Sequence, residues 1–525
     1  MRKSLENSRM FPVLGLCLLA FLIKLHFLWF VHKDPVFAMP VVDSLEFDLW
    51  GYQIAQGKLL WDHITNHPPL YAYFLGFIYE LFGYSPFKAA VIQNVMASAG
   101  LFLLFRIAQR YFNTLTAYLS VILAGTYWFF IYVSTFLFSE NLSIFLNIVL
   151  VYILTFRKDR PVKYLSAGCV LALTEICRPQ MMPFGIAFLF LLWTKDIPRP
   201  EKFKFSALFL IPVLVLSFFV MAQNHRVSGQ WVLRTQIGAN VYMGNDPAFH
   251  GTNLHVKIGR EWDKFISAPH QHYQRDVTEA ESNQYFMDKT WSVIRERPVE
   301  WAGLIGSKIF AVLTGLDFLR TEDVYVYDLY FTDTPYFLVS TKLIFILALM
   351  GLFFSLQSRR NAGLLYLALI GFVPMFFFPI KTRYLMGFVP FVIVFAGYAL
   401  AHLYELFQSK QYPQLWKCLV AAGGLAAVSL WNPLGFIRPD VAETVYAIAK
   451  NYDGRKNEVM AEKYYLAAIQ VDPAHISAYN DLGVLYMNQN KCGRAVPYFE
   501  SAVRLDPEAV YPKKNLDLCR KTAGQ

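Results

Sequence analysis

Long apolar runs follow one another through most of this chain, and this pattern constrains its fold more than any other feature. A helix needs about 20 apolar residues to cross a bilayer. Apolar residues make up 56% of the chain and charged residues only 16%. We therefore predict an all-α polytopic membrane protein with about eleven spans, because a helix satisfies its own backbone in lipid. Runs near this length lie at 11–31, 87–108, 114–134, 137–156, 161–177, 181–194, 204–223, 336–356, 362–379, 384–406 and 414–431.

The loops between these runs carry an uneven charge. The net charge is +10, and we predict that the stretch 68–82 lies at the outer surface as a short helix. Seventeen lysines and arginines then fall on the side of the N-terminus, and six on the other side. Basic loops stay in the cytoplasm. We therefore expect a cytoplasmic N-terminus and an extracytoplasmic C-terminus in the inner membrane of a bacterium, with membrane lipids and not nucleic acid as the partner of this charge.

Two outer loops are predicted within the membrane domain of residues 1–431, at 32–68 and 224–335. The second loop begins with a stretch rich in glycine and asparagine, which we read as turns. Near its end, Pro298–Thr314 has the pattern of an amphipathic interfacial helix. The residues that predict the turns are Gly238, Asn240, Gly244, Asn245 and Gly251.

A repeat occupies residues 440–525, after the last apolar run. Its residue types recur at a spacing of 34, the length of a tetratricopeptide repeat. We predict two repeats and a capping helix that form an α-solenoid. Such arrays present concave surfaces, so we expect a protein partner there, and two repeats are few enough to need support from another surface. The repeated positions are Val445, Ile448, Ala449, Tyr452, Ala461, Tyr465, Ala468 and Pro473, then Tyr479, Leu482, Gly483, Tyr486, Ala495, Phe499, Ala502 and Pro507.

Two carboxylates lie where chemistry at the outer face is expected. Asp43 begins a polar helix after the first span, and Glu140 lies near the outer start of a later one. An acid at a membrane edge is either a solvated loop residue, a general base or a cation ligand. The predicted topology places both acids on one side, which favours an acid–base pair or a divalent metal site. The chain has no Walker A, GxGxxG, HExxH or GxSxG motif.

Cations are predicted at the same face. Arg178 ends a helix before Pro179, and Lys381, Arg383 and Tyr384 lie in a short outer loop. Arginine binds phosphate through two parallel hydrogen bonds, and lysine adds a point charge. Each of them alone is equally typical of a lipid-headgroup anchor. His67, before Pro68, is either a helix cap or a further phosphate contact.

Together these motifs resemble the GT-C membrane glycosyltransferases related to protein O-mannosyltransferases and the lipid A aminoarabinose transferase. The resemblance covers roughly residues 10–405. It implies that Asp43 is the catalytic carboxylate, that Glu140 matches the acid of the second outer loop, and that Arg383 and Tyr384 approach the lipid phosphate. The motifs, in order, are Asp-Ser at 43–44, Pro-Pro-Leu-Tyr at 68–71, Ser-Glu at 139–140, Arg-Pro at 178–179 and Arg-Tyr at 383–384.

The chain departs from that family at two positions. Ser44 stands where relatives with an Asp-Glu pair have the glutamate, and Phe47 stands where they have tyrosine. The first departure removes a ligand from a metal site of that type, and the second removes a hydroxyl.

The resemblance implies an inverting transfer of a sugar from a polyprenyl-phosphate donor to a hydroxyl of a lipid, glycan or protein acceptor. A divalent metal at Asp43 and Glu140 is the one cofactor considered. Two other interpretations remain. One is a lipid-glycan polymerase or ligase, and the other is a non-catalytic anchor that presents the repeats as a docking platform.

Overall fold

The computed structural model describes residues 2–32, 37, 40, 42–62, 67–179, 182–249, 260–315, 339–356, 364, 371–430, 441–507 and 509–523. Within these ranges the regular elements are helices, and the strand-like pairing is a single bridge between Tyr127 and Val339. The predicted all-α class is therefore confirmed. Residues 362, 363 and 365–370 of the predicted span at 362–379 lie outside the described residues, and its later part contains the four-residue helix Pro374–Phe377.

The helices of the membrane domain are α1 (Arg2–Val31), α2 (Val42–Ala55), α3 (Leu70–Phe82), α4 (Pro86–Tyr111), α5 (Thr114–Thr126), α6 (Trp128–Thr135), α7 (Ser139–Phe156), α8 (Pro161–Glu175), α9 (Met182–Trp193), α10 (Arg199–Ser228), α11 (Ile237–Asn245), α12 (Arg260–Tyr273), α13 (Glu279–Glu296), α14 (Pro298–Leu313), α15 (Thr341–Ser355), α16 (Pro374–Phe377), α17 (Thr382–Leu385), α18 (Val389–Gln408) and α19 (Tyr412–Leu430). The C-terminal helices are α20 (Val441–Gly454), α21 (Glu458–Val471), α22 (Ile476–Asn488), α23 (Cys492–Leu505) and α24 (Val510–Ala523).

Five of the described helices are long and apolar enough to cross a membrane: α1, α4, α7, α10 and α18. The apolar helices α3, α5, α9 and α15 are shorter. In the most apolar stretch of α10 only 22% of the residues are buried. Leu214, Val215 and Phe218 are among the exposed ones. Such an apolar surface suits lipid and not water. The chain is an integral membrane protein, while the full count of eleven spans stays a prediction.

Glycines allow the membrane helices to pack closely. A Cβ at Gly168 would overlap the backbone of Phe209, where α8 crosses α10. A Cβ at Gly351 would overlap the carbonyl of Phe395, where α15 crosses α18. Helices in lipid gain stability mainly from close van der Waals packing, and small residues at crossings permit it.

Helix α3 corresponds to the stretch that we predicted to lie at the outer surface. It has 13 residues. At about 1.5 Å per residue it extends about 20 Å, which is too short for a hydrocarbon core of about 30 Å. The length agrees with an interfacial helix, and its position relative to the bilayer stays a prediction.

The predicted turns at Gly238–Asn245 are wrong, because these residues form helix α11. Gly251 lies outside the described residues. The glycines of α11 serve close packing instead. A Cβ at Gly244 would come within 2.6 Å of the Phe378 carbonyl carbon, and one at Gly238 within 2.5 Å of the Asn283 carbonyl oxygen. The predicted amphipathic helix that follows in this loop is present as α14.

The described residues divide into two compact units. The second unit consists of the residues between Val31 and Glu46 together with the C-terminal helices, so the boundary falls within α2. In the C-terminal helices, α20 packs on α21 and α22 on α23. The predicted repeat positions Leu482, Gly483 and Phe499 are buried at the second pair.

Candidate active site

Glu140 lies at the centre of a cluster of cations in the first unit. The side chain of this residue, in the first turn of α7, is 1% exposed. One of its oxygens, Oε1, accepts a hydrogen bond from Nε of Arg383 and forms an ion pair with the guanidinium group of Arg178. These contacts unite three residues that are far apart in the sequence. Charge-assisted hydrogen bonds in a buried setting are stronger than neutral ones, so Glu140 fixes the positions of both arginines.

Neighbouring residues hold this cluster in place. The Arg383 guanidinium lies 4.8 Å from the centre of the Phe138 ring, in a cation–π contact. The Cys177 thiol donates to the Ser139 carbonyl at 3.4 Å, which joins the end of α8 to the start of α7. The Leu70 amide donates to the Ile176 carbonyl at 3.1 Å. The turn that precedes α3 therefore lies beside Arg178.

A buried glutamine anchors the other side of the Glu140 segment. The Gln93 side chain, on α4, donates to the Phe136 carbonyl at 3.0 Å and accepts from the Tyr71 hydroxyl at 2.6 Å. The Asn141 side chain donates to the Gln93 carbonyl at 3.1 Å. The residues on both sides of Glu140 are thus fixed by α4, which limits the freedom of the carboxylate.

Tyr384 shows how strong the local positive charge is. Burial raises the pKa of its hydroxyl, but the positive charges of Lys381, Arg234 and Arg178 outweigh burial and lower that pKa to about 8. The Lys381 ammonium lies 5.2 Å from the centre of the Tyr384 ring. Four cations thus cluster around Glu140 and Tyr384. Such an excess of positive charge favours an anionic ligand.

A cavity of about 220 Å³ lies next to this cluster. Arg234 and Tyr384 contribute polar atoms to it, and Arg234 Nε has no hydrogen-bond acceptor among the described residues. Glu175 also lines the cavity, and its Oε2 has no partner in the described part of the chain. The apolar lining comes from Pro68, Pro69, Ile176, Pro179, Met182, Val220, Leu233, Ile237 and Phe378. An apolar cavity that ends on cations suits an amphiphile with an anionic head.

Helices of the segment 224–335, the second predicted outer loop, hold the backbone that leads to Lys381. The Asn245 side chain, on α11, donates to the Phe377 carbonyl at 2.9 Å. The Lys308 ammonium, on α14, donates to the Phe378 carbonyl at 3.0 Å. Neither Asn245 nor Lys308 was predicted to hold this backbone, and Arg234 was not predicted to line the site. The only signal for Arg234 was its place shortly after a predicted span, where many loops carry arginine.

The structure also shows what fixes the helix that carries Asp43. Asp43 is half-buried in the first turn of α2. Further along α2, the carboxylate of Asp48 is buried and accepts hydrogen bonds from Tyr79 at 2.6 Å and Tyr84 at 2.7 Å. Asp43 belongs to the second unit and Glu140 to the first. The pairing of these two acids therefore stays a prediction.

The residues predicted to bind phosphate divide into two groups. Arg178, Lys381, Arg383 and Tyr384 lie in the cation cluster. His67 instead packs against Phe47, with 4.9 Å between ring centres. The phosphate contact predicted for His67 stays a prediction.

The surroundings of Glu140 do not fit a divalent metal. Two guanidinium groups lie on Oε1 of the carboxylate, and their positive charges would repel a divalent cation bound beside them. The described ranges contain no group of three or more His, Cys, Asp or Glu that could hold a metal ion. Divalent cations prefer several oxygen ligands. We therefore derive no step through a metal.

The low pKa of Tyr384 predicts how the binding of an anionic ligand depends on pH. Above about pH 8 the hydroxyl ionises, and the phenolate repels an anionic ligand at the neighbouring cations. We expect the KM for an anionic substrate to rise as the pH passes through 8. In Tyr384→Phe this rise should be absent, because the ring cannot ionise. Steady-state kinetics between pH 6.5 and 9.5 measure it, and an identical pH profile in both proteins would contradict the assignment.

Comparison with known families identifies part of the chain. Residues 66–222 match the family model described as dolichyl-phosphate-mannose-protein mannosyltransferase. This match covers less than a third of the chain, and it shows a similarity of that segment to the family. Residues 476–508 match a tetratricopeptide repeat. The segment that matches the mannosyltransferase model includes Glu140 and Arg178, and the predicted resemblance is confirmed over these ranges. No protein of curated function matches the chain in sequence.

Several solved structures are similar to the chain in part. One is the Archaeoglobus fulgidus oligosaccharyltransferase tethered to an acceptor peptide, with 13% identity and a TM-score of 0.43 over 86% of this chain and 59% of that one. The same enzyme with zinc and sulfate has 13% identity and a TM-score of 0.43, over 85% and 57%. ArnT from Cupriavidus metallidurans bound to undecaprenyl phosphate has 12% identity and a TM-score of 0.33, over 74% and 78%. The chain therefore spans about three fifths of the oligosaccharyltransferase.

Proposed function

We propose that the chain is a membrane glycosyltransferase that moves a sugar from a polyprenyl-phosphate donor to an acceptor hydroxyl. The observation that carries this proposal is the cation cluster next to an apolar cavity, in a chain whose residues 66–222 match the mannosyltransferase family model. A phosphate joined to an isoprenoid chain matches both parts of that site. The donor in the description of the matched family, dolichyl-phosphate mannose, belongs to this chemical class.

The donor phosphate binds at the cations in this proposal. Arg234 and Tyr384 line the cavity, and Arg383 and Arg178 are held beside them by Glu140. Glu140 therefore acts as the residue that positions the arginines. As the bond between the sugar and the phosphate breaks, negative charge grows on the phosphate oxygen that leaves. Cations fixed before the reaction stabilise this charge without any cost of reorganisation.

Asp43 is the proposed general base. A hydroxyl is a weak nucleophile, so a carboxylate must take its proton while the new bond to the anomeric carbon forms. Such catalysis contributes about 10²–10⁴ in rate. The acceptor oxygen attacks opposite to the phosphate, and this single displacement inverts the anomeric centre. The proton passes to Asp43, and the polyprenyl phosphate leaves as the anion.

The reaction is proposed to take place at the outer face of a bacterial inner membrane. A donor anchored in lipid needs no nucleotide site, which agrees with the absence of nucleotide-binding motifs from the sequence. The acceptor is a hydroxyl of a lipid, a glycan or a protein. The tetratricopeptide repeats are proposed to lie on the same outer side, where a protein partner can reach them.

Cells that lack the chain provide the test. We expect mass spectrometry of their lipids to show accumulation of one polyprenyl-phosphate sugar, and mass spectrometry of their glycans to show loss of the same sugar. Expression of the wild-type chain should reverse both changes, and expression of Asp43→Asn should reverse neither. Unchanged lipids and glycans in cells that lack the chain would contradict the proposed function.

A further inference from the structure

The segment that leads into the Asp43 helix contacts the repeat array. In the second unit, the side-chain amide of Asn451 donates a hydrogen bond to the carbonyl of Pro40 at 2.6 Å. Asn451 lies on α20, the first helix of the array, and Pro40 lies three residues before Asp43. The two residues are 411 positions apart in the chain.

The burial of α20 agrees with a covered helix. Its five consecutive residues Ala442–Tyr446 are all buried. The second helix of the array, α21, buries only a stripe at Ala461, Tyr464, Tyr465 and Ala468. The next repeat covers one part of α20, because Glu443 contacts His475 at 3.2 Å and the Tyr446 hydroxyl donates to Asp481 at 2.7 Å. Terminal repeats otherwise expose a polar outer face.

The segment before Asp43 has the character of such a cover. Phe37 is 6% exposed and Pro40 is buried, although both belong to a predicted outer loop. Apolar residues in a loop become buried only where the loop packs on another element. The hydrogen bond from Asn451 shows that α20 is one such element.

We propose that the repeat array positions the catalytic carboxylate of this chain. The amide of Asn451 holds the Pro40 carbonyl and thereby fixes the backbone from which the first turn of α2, with Asp43, begins. Asn451 is thus a positioning residue. The surface of α20 binds a segment of the same chain, the residues around Pro40. The inference rests on the proposed role of Asp43 as the base.

The expected effect follows from the tolerance of catalytic geometry. A displacement of about 1 Å in a reacting group lowers rates by about 10²-fold. Loss of one anchoring hydrogen bond loosens the segment without removing Asp43. We therefore expect Asn451→Asp, which cannot donate to the Pro40 carbonyl, to lower kcat by about tenfold. The KM for the donor should change little, because the residues proposed to bind phosphate are unaltered.

The test compares the wild-type chain with three variants in the same lipid vesicles. Asn451→Asp is the disruptive variant, and Asn451→Gln retains an amide donor and should recover most of the lost kcat. Asn488→Asp is the matched control, because Asn488 is an exposed asparagine on another helix of the array. Hydrogen–deuterium exchange of peptides from residues 31–46 should increase in Asn451→Asp alone.

The outcomes separate the inference from the proposed function. Unchanged exchange in Asn451→Asp, or increased exchange with normal kcat, overturns the positioning role. Asp43→Asn is measured in parallel. If that variant is inactive while Asn451→Asp has normal kcat, the positioning role alone fails. If Asp43→Asn is as active as the wild type, the proposed base fails and the positioning role fails with it.

Discussion

Replacement of Asp43 by asparagine should lower turnover by a factor of about 10² or more. Asparagine has nearly the same shape as aspartate, so the packing of α2 should persist while the proton acceptor and its charge are lost. The KM for the donor should change little, since the cations proposed to bind phosphate remain in place. Single-turnover kinetics with protein at equal levels in vesicles measure the chemical step separately from binding.

Asp48→Asn provides a control on the same helix. The Asp48 carboxylate accepts hydrogen bonds from two tyrosines, and an amide can accept from only one of them with its oxygen. We expect this variant to unfold at a lower temperature but to keep its turnover within a few-fold once folded. Near-normal turnover in Asp43→Asn would contradict the proposed base and would favour the docking-platform interpretation.

Replacement of Glu140 by glutamine should damage both donor binding and stability. The change leaves the guanidinium groups of Arg178 and Arg383, which are 14% and 20% exposed, without the carboxylate that binds them. Removal of one partner from a buried ion pair costs about 3–5 kcal/mol. We expect a lower midpoint of thermal unfolding in detergent and at least about a tenfold higher KM for the donor, since tenfold corresponds to about 1.4 kcal/mol.

Glu175→Gln is the matched control for this stability effect. Glu175 is also buried, at 8% exposed, but it has no ion pair in the described part of the chain. Its replacement should leave the unfolding midpoint unchanged or raise it, because an uncompensated carboxylate is removed.

The double variant Glu140→Gln/Arg383→Gln should recover part of the stability that Glu140→Gln loses, and none of the activity. Equal midpoints for Glu140→Gln and Glu175→Gln would contradict the proposed ion-pair function of Glu140.

The sequence was sufficient to predict the elements that have strong periodic signals. Apolar runs predicted α1, α4, α7, α10 and α18, because lipid leaves a spanning segment few alternatives to a helix. The spacing of 34 residues predicted the repeats. Positive charge on alternate loops also predicted that Glu140, Arg178 and Arg383 share one face, and the structure brings these three together. The predicted side of the membrane for each loop thus indicated which residues lie near one another, although no contact between them could be predicted.

Other parts of the site could not be predicted, because they depend on contacts between distant segments. Gly244 in an Asn/Gly-rich stretch is typical of a turn, but the close approach of the Phe378 backbone explains it. In the sequence, Lys308 resembles any charged residue of an amphipathic helix. Only the structure shows that its side chain donates to the Phe378 carbonyl. In the sequence, Arg234 resembles an arginine that anchors a helix end to lipid headgroups. Its position in the wall of the cavity shows that it belongs to the site.

The most direct test of the central claim is transfer by the purified chain in vesicles. The vesicles would contain one of a panel of polyprenyl-phosphate sugars, each with a labelled sugar, and the acceptor would be the envelope fraction of cells that lack the chain. We predict that one donor releases polyprenyl phosphate in equal amount to the sugar transferred, with inversion at the anomeric carbon, and that Asp43→Asn abolishes both. Transfer from a nucleotide sugar with no release of polyprenyl phosphate from any donor would contradict the account.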